Sequence, residues 1–315
     1  MSYLYVTAVL GITITEKIKT PIKIGDGIYL TNDSSHFAKH ISPEQYLSIG
    51  TLEGGYLFND NPVIYAKMPT KNIDESHAHI VNFMRDCLAF LHSLWIFGDN
   101  SVNVELGFAV SGKTGHVHSN SLAYHYWTCE GKKKELSISP SHLMQLYDEF
   151  GSKFGGMAVG SEPNYTMQSR ETDRINIGVN FLQQARSTPD IGFKIASYCS
   201  FFESILSTTN VELSHQMAER AAFYLRVKPA ERLELYKDLK QAYSVRSKVV
   251  HGDFISKKDM SKLGEIAKKC DSTARELLVS YLQDEEFSSA INDSSSELLD
   301  KFFLYKIFGL NTLDA

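Results

Sequence analysis

The sequence predicts an α+β N-terminal domain followed by an all-α helical bundle. Three observations carry this. Residues 3–139 alternate β-branched and aromatic runs with turn signals, around one long amphipathic helical pattern. From about residue 170 onward, long helical periodicities follow one another with short connections. Between the two, residues 151–166 (GSKFGGMAVGSEPNYT) hold four glycines and a proline, the composition of a linker. The expected organisation is a mixed α/β domain over 1–150, a linker over 151–166 and a helical bundle over 167–315.

Taken in order, Tyr3–Ile14 and Ile22–Leu30 have strand chemistry, punctuated by turns at Gly25-Asp-Gly27 and Thr31-Asn-Asp33. Ser42-Pro43-Glu44-Gln45 starts a helix, with serine at the N-cap, proline at the first helical position and glutamine two residues on. Asp74 opens a stronger helix to about Phe97, with Ile80, Phe83, Met84, Cys87, Leu88, Leu91 and Trp95 at helical spacing. Val102–Val110 and Ser121–Cys129 read as a hairpin, extended by Glu135–Ser139. In the second half, helices are expected over about Arg170–Ala185, Ile191–Leu206, Ser214–Leu225, Pro229 to Gly252, Lys257–Leu282 and Ser296–Phe308. Ile191–Leu206 is apolar nearly all round and reads as the buried central helix. The serines near 289 and 296 read as a solvated loop.

The chain has 315 residues, 43% hydrophobic and 22% charged, which suits a globular protein with a sizeable core. A net charge of −5 confines any nucleic-acid site to a local patch. Cys87, Cys129, Cys199 and Cys270 are far apart and read as free thiols of a reducing compartment. The N-terminus is apolar without a basic region and continues into alternating strand, so no signal peptide or membrane span is expected, and the expected location is the cytoplasm.

The chemistry concentrates at Arg246-Ser-Lys-Val-Val-His251-Gly252. On a helical wheel Leu233, Tyr236, Leu239, Tyr243, Arg246 and Val250 form one stripe. Arginine within an apolar stripe needs an acidic partner or a phosphate. Glu203, one of only two charges in the central helix (the other is Lys194), is the candidate partner. Arginine forks onto phosphate oxygens and histidine exchanges protons near neutral pH, so the pair suits a phosphodiester. Yet the two lie about 140° apart on an ideal helix. Either the helix end at Gly252 turns the His251 ring back, or a second copy supplies the missing half across a two-fold axis. Lys248, Lys257 and Lys258 are candidate RNA contacts. Residues 229–278 hold 11 basic against 8 acidic residues, and a solvated helix face is the commoner explanation of such a run.

Four blocks in order, Phe201-Phe-Glu-Ser-Ile-Leu206, Ala218-Glu-Arg-Ala-Ala222, Glu231-Arg232 and Tyr243-Ser-Val-Arg-Ser-Lys-Val-Val-His-Gly252, resemble the Apea-like branch of the HEPN superfamily, over roughly residues 170–285. The resemblance implies a HEPN-like bundle of four or five helices that dimerises. It also implies a metal-independent endoribonuclease site, without a cofactor, built from Arg246 and His251 of both protomers. Glu203, Ser247 and Tyr243 are the candidate supporting residues. Many members carry Asn, Asp or His directly after the arginine. Ser247 stands there in this chain, able to donate a hydrogen bond but not to act as acid or base. Members of this superfamily include toxin-like effectors of antiviral, abortive-infection defence as well as inactive binding modules. The implied partners are RNA, a second copy or higher homo-oligomer, and a phage-derived or cellular trigger acting through the first domain.

Other motifs are discounted. Gly107-Phe-Ala-Val-Ser-Gly112-Lys113-Thr114 fits the P-loop pattern, but strand-like residues continue where a helix should begin. His116, His118 and His125 lack further ligands at metal spacing, and His77 and His79 point about 200° apart on their helix. Phe193, Tyr198, Phe201 and Phe202 read as core.

Overall fold

A computed structural model of the protein describes residues 2–112, 114–122, 124–151, 173–293 and 296–310. Strand β1 (Ser2–Leu10) is apolar along nearly its whole length, since it lies inside a sheet covered on both faces. Gly11, at φ +75°, lets the chain turn sharply into β2 (Ile12–Ile14). Then come β3 (Ile22–Gly25), β4 (Ile28–Thr31), helices α1 (Pro43–Ile49) and α2 (Thr51–Phe58), and β5 (Val63–Pro69). They are followed by α3 (Ile73–Phe97), β6 (Asn103–Ser111), β7 (Val117–Ser121), β8 (Leu136–Ile138) and α4 (Pro140–Leu146). The main sheet is antiparallel, in the order β3-β4-β5-β1-β6-β7, and β2 pairs in parallel with β8 as a separate ribbon.

The pleat sorts β1 onto two layers. Leu4 and Val6 face Phe37, Ile49 and Leu57 beneath α1 and α2. Tyr3 and Tyr5 face the other way, where Tyr5 meets Phe83 of α3 and its hydroxyl is 3.1 Å from that of Ser76. The predicted capping box of α1 forms: Ser42 accepts from the Gln45 backbone and Gln45 accepts from that of Ser42. All seven apolar positions expected to line α3 are buried. By length and composition α3 could cross a membrane, but 67% of its most apolar window is buried within the protein.

Two expectations for this half are corrected. The partner of β6 is Val117–Ser121, not Ser121–Cys129. Asn103 explains why: its side chain takes both the backbone N–H and carbonyl of Tyr126, which a strand ladder would otherwise satisfy. Leu136–Ile138 joins β2 instead of extending the hairpin. Strand β5 and helix α2 were not foreseen.

The second half is helical among the described residues: α5 (Arg174–Ser187), α6 (Ile191–Leu206), α7 (Leu213–Leu225), α8 (Pro229–His251), α9 (Lys257–Met260), α10 (Leu263–Gln283), α11 (Glu285–Asn292) and α12 (Glu297–Phe308). Helix α6 is central and packs against α5, α7, α8 and α10. Its buried Lys194 donates to the Ala185 carbonyl at 2.7 Å, in the last turn of α5, where the helix dipole favours a cation. The expected helix from Lys257 onward is in fact two, separated at 261–262. Ser288 and Ser289 lie within α11, capped by Asp284, rather than in a loop.

The chain divides into two units, Met1–Trp127 with Lys133–Gly156, and Thr128–Lys132 with Met157–Ala315. Apart from Gly151, the expected linker lies outside the described residues. All four cysteines are buried and none forms a disulfide.

Candidate active site

Arg246 is placed by the burial of α8. The buried face of that helix is Leu235, Leu239, Ala242 and Val245. The stripe expected from the sequence is therefore rotated, with Leu233 53% and Val250 56% exposed. Arg246 consequently borders the core instead of lying within it, and its side chain is 22% exposed. It leans on Glu203 of α6, Nη2 to Oε2, at 3.4 Å. Its guanidinium carbon lies 5.2 Å from the centre of the Tyr243 ring, one turn earlier. The Tyr243 hydroxyl also favours the charged form of Glu203. Of the three residues expected to support the site, Glu203 and Tyr243 lie beside the arginine; Ser247 is half-buried, and its side chain has no hydrogen bond among the described residues.

The arrangement leaves polar capacity unused. Arg246 Nε and Glu203 Oε1 are buried without a hydrogen-bond partner among the described residues. Each such group forgoes about 1–3 kcal/mol. Burial raises the Glu203 pKa above its ordinary value, against the opposing pull of Arg246 and the Tyr243 hydroxyl. Burial also raises the Tyr243 pKa, and the neighbouring Glu203 carboxylate adds to that.

Helix α8 stays helical through His251, which is exposed. Gly252 follows in the left-handed conformation, φ +74°. Its N–H reaches the Val249 carbonyl at 3.3 Å, and the Asp253 N–H reaches that of Lys248 at 2.8 Å. This is a Schellman ending. A regular helix to its last residue keeps Arg246 and His251 about 140° apart. The helix end does not turn His251 back.

Of the candidate RNA contacts, Lys248 is held by Asp259 at 2.7 Å, which also fastens α9 beside the end of α8. Lys257 and Lys258 are exposed in α9. Val250, Phe254 and Met260, at and just after the end of α8 in sequence, are exposed, Phe254 by 99%. Phe193, read from the sequence as core, is 59% exposed. It follows Gly192, which abuts Val249 and Ile255. Exposed apolar side chains thus flank the motif.

Two arginines were given no role from the sequence. Arg174 donates to the Ser207 carbonyl at 2.6 Å and Arg220 to that of Leu206 at 2.7 Å, so they cap the C-terminus of α6. Arg220 also pairs with Asp300. The Ala218–Ala222 block therefore serves the bundle's frame.

The P-loop pattern lies on β6 and the turn into β7, with no helix following, and Lys113 lies outside the described residues. His77 meets His118 edge-on at 4.5 Å, a pairing the sequence did not suggest. Among the described residues no cluster of three or more His, Cys, Asp or Glu could hold a metal.

Fold and site together define a sheet-containing unit followed by a helical one that carries a partly satisfied Arg–Glu pair and an exposed terminal histidine. In comparisons with known proteins, no family model, no curated protein and no solved structure matches the chain.

Proposed function

We propose that the helical unit is a metal-independent endoribonuclease of the HEPN type, with Arg246 and His251 as catalytic residues. One observation carries the reading. Arg246 has one ion pair, at 3.4 Å, and an unpartnered Nε, on the same helix as an exposed His251. A cation with spare donors is suited to a phosphate. Because α8 is regular to its end, the histidine that serves a given arginine comes from a second copy. The exposed Phe193, Val250, Phe254 and Met260 around the motif support a homodimer there.

The chemistry follows from RNA itself. The 2′-OH loses its proton to one His251 and attacks phosphorus in line. The P–O5′ bond breaks, and the leaving oxygen takes a proton from the other His251. Arg246 stabilises charge on the phosphorane. The products are a 2′,3′-cyclic phosphate and a 5′-OH. Lys257 and Lys258 guide the strand, and Lys248 joins them if it releases Asp259. A role in antiviral defence, in the cytoplasm, with a trigger read by the first unit, belongs to this reading.

A second reading is a catalytically inactive interaction or RNA-binding module, favoured by the Arg246–Glu203 pair itself and by a helix that simply ends at His251. Incubating wild type, Arg246→Ala and His251→Ala with RNA in chelator separates the two. The ribonuclease yields cyclic-phosphate ends and leaves DNA intact. His251→Ala loses about 10²–10⁴-fold in rate. Intact RNA with wild type, while the dimer persists, favours the interaction module.

A further inference from the structure

The sheet-containing unit holds a cleft of about 580 Å³ that plays no part in the ribonuclease reading. Strand register builds its floor. Leu4 of β1 stands opposite Lys67 of β5 on one side and Val110 of β6 on the other, so the three side chains share one face. Gln45 fixes the wall. It is buried, and its amide donates to the Ser111 carbonyl at 2.7 Å, tying α1 to the end of β6. The segment leading into α1 brings Lys39, His40 and Ile41 to the rim.

The charge is one-sided. No acidic residue is among the described residues lining the cleft. Neither Lys39 nor Lys67 has an ion-pair partner among the described residues. Glu44, the nearest acid in sequence, is engaged by the Ser42 hydroxyl at 2.8 Å. His40 is half-buried, and both lysines act on it: its pKa is held below the ordinary value first by burial, then by Lys67 and Lys39. Three basic groups therefore converge beside an apolar floor with no anion to offset them. The volume falls within the range of about 300–1,000 Å³ typical of small-molecule sites.

We infer that this cleft binds a phosphorylated small molecule of mononucleotide size, with the phosphate between Lys39, His40 and Lys67 and the uncharged body against Leu4, Ile41 and Val110. The inference does not depend on the ribonuclease reading, because binding is measured without any cleavage. The test is calorimetric titration of the full chain with AMP and UMP, each alone. Adenosine and inorganic phosphate serve as half-ligand probes, and a ten-nucleotide DNA strand, which the ribonuclease leaves uncut, serves as a polymer probe.

The expected result is binding of at least one mononucleotide, about tenfold tighter than adenosine or phosphate and weakened by salt. The Lys39→Ala/Lys67→Ala double variant should lose about tenfold in affinity. Both lysines are exposed, so its circular dichroism and melting should match wild type. The inference is overturned if neither mononucleotide binds below about 1 mM, or if the double variant binds as wild type does. Tighter binding of the DNA strand than of either mononucleotide also overturns it.

Discussion

At the scale of the residue, the site turns on how Arg246 and Glu203 share a partly buried position. Both were legible in the sequence as charges that must find partners, Arg246 within an apolar stripe and Glu203 within an apolar helix. Their single weak contact and two orphaned atoms were not legible, because they depend on how α8 is rotated against α6. Glu203 gives a pH test. Its folded-state pKa lies above the ordinary 4.5, so across that interval the folded protein binds more protons than the unfolded chain. Its contribution to stability therefore declines as pH rises through the interval. Glutamine has no charge to bury. Glu203→Gln should gain stability relative to wild type between pH 4.5 and neutrality, read from urea midpoints. A flat difference, or one of opposite sign, contradicts burial as the dominant influence on Glu203.

At the scale of the element, most helix limits could be read from caps: Asp190 before α6, Pro229 at the start of α8 and Gly252 at its end. The face of α8 was misread because Tyr236, Tyr243 and Val250 have the same apolar character as residues that do reach the core. Only the neighbouring helices decide which stripe is buried. The Ser121–Cys129 strand failed for a different reason, since the side chain of Asn103 satisfies backbone groups from 23 positions away. Helix α8 supplies a clean prediction. An added Cβ at Gly252 meets nothing within 4 Å, so Gly252→Ala is penalised only by its left-handed backbone. The expected cost is about 1 kcal/mol, measured by thermal or urea unfolding. A neutral substitution would show that the Schellman ending is not rigidly held. Loss of activity well beyond that stability change places His251's position under control of the helix end.

At the scale of the whole molecule, the division into a sheet-containing and a helical unit was visible in composition, whereas the sheet order and the basic cleft were not. Strand register brings Leu4, Lys67 and Val110 together from three distant segments, and no local pattern reports it. The central claim also belongs to this scale: one chain carries half of a site, and a second copy completes it. Subunit poisoning tests it most directly. Wild type at fixed concentration is mixed with increasing Arg246→Ala/His251→Ala double variant, allowed to exchange subunits, and assayed on RNA in chelator. The account predicts that cleavage per wild-type subunit falls towards zero as mixed dimers replace wild-type dimers. Cleavage per wild-type subunit that stays constant at every ratio, or RNA left intact by wild type alone, would contradict it.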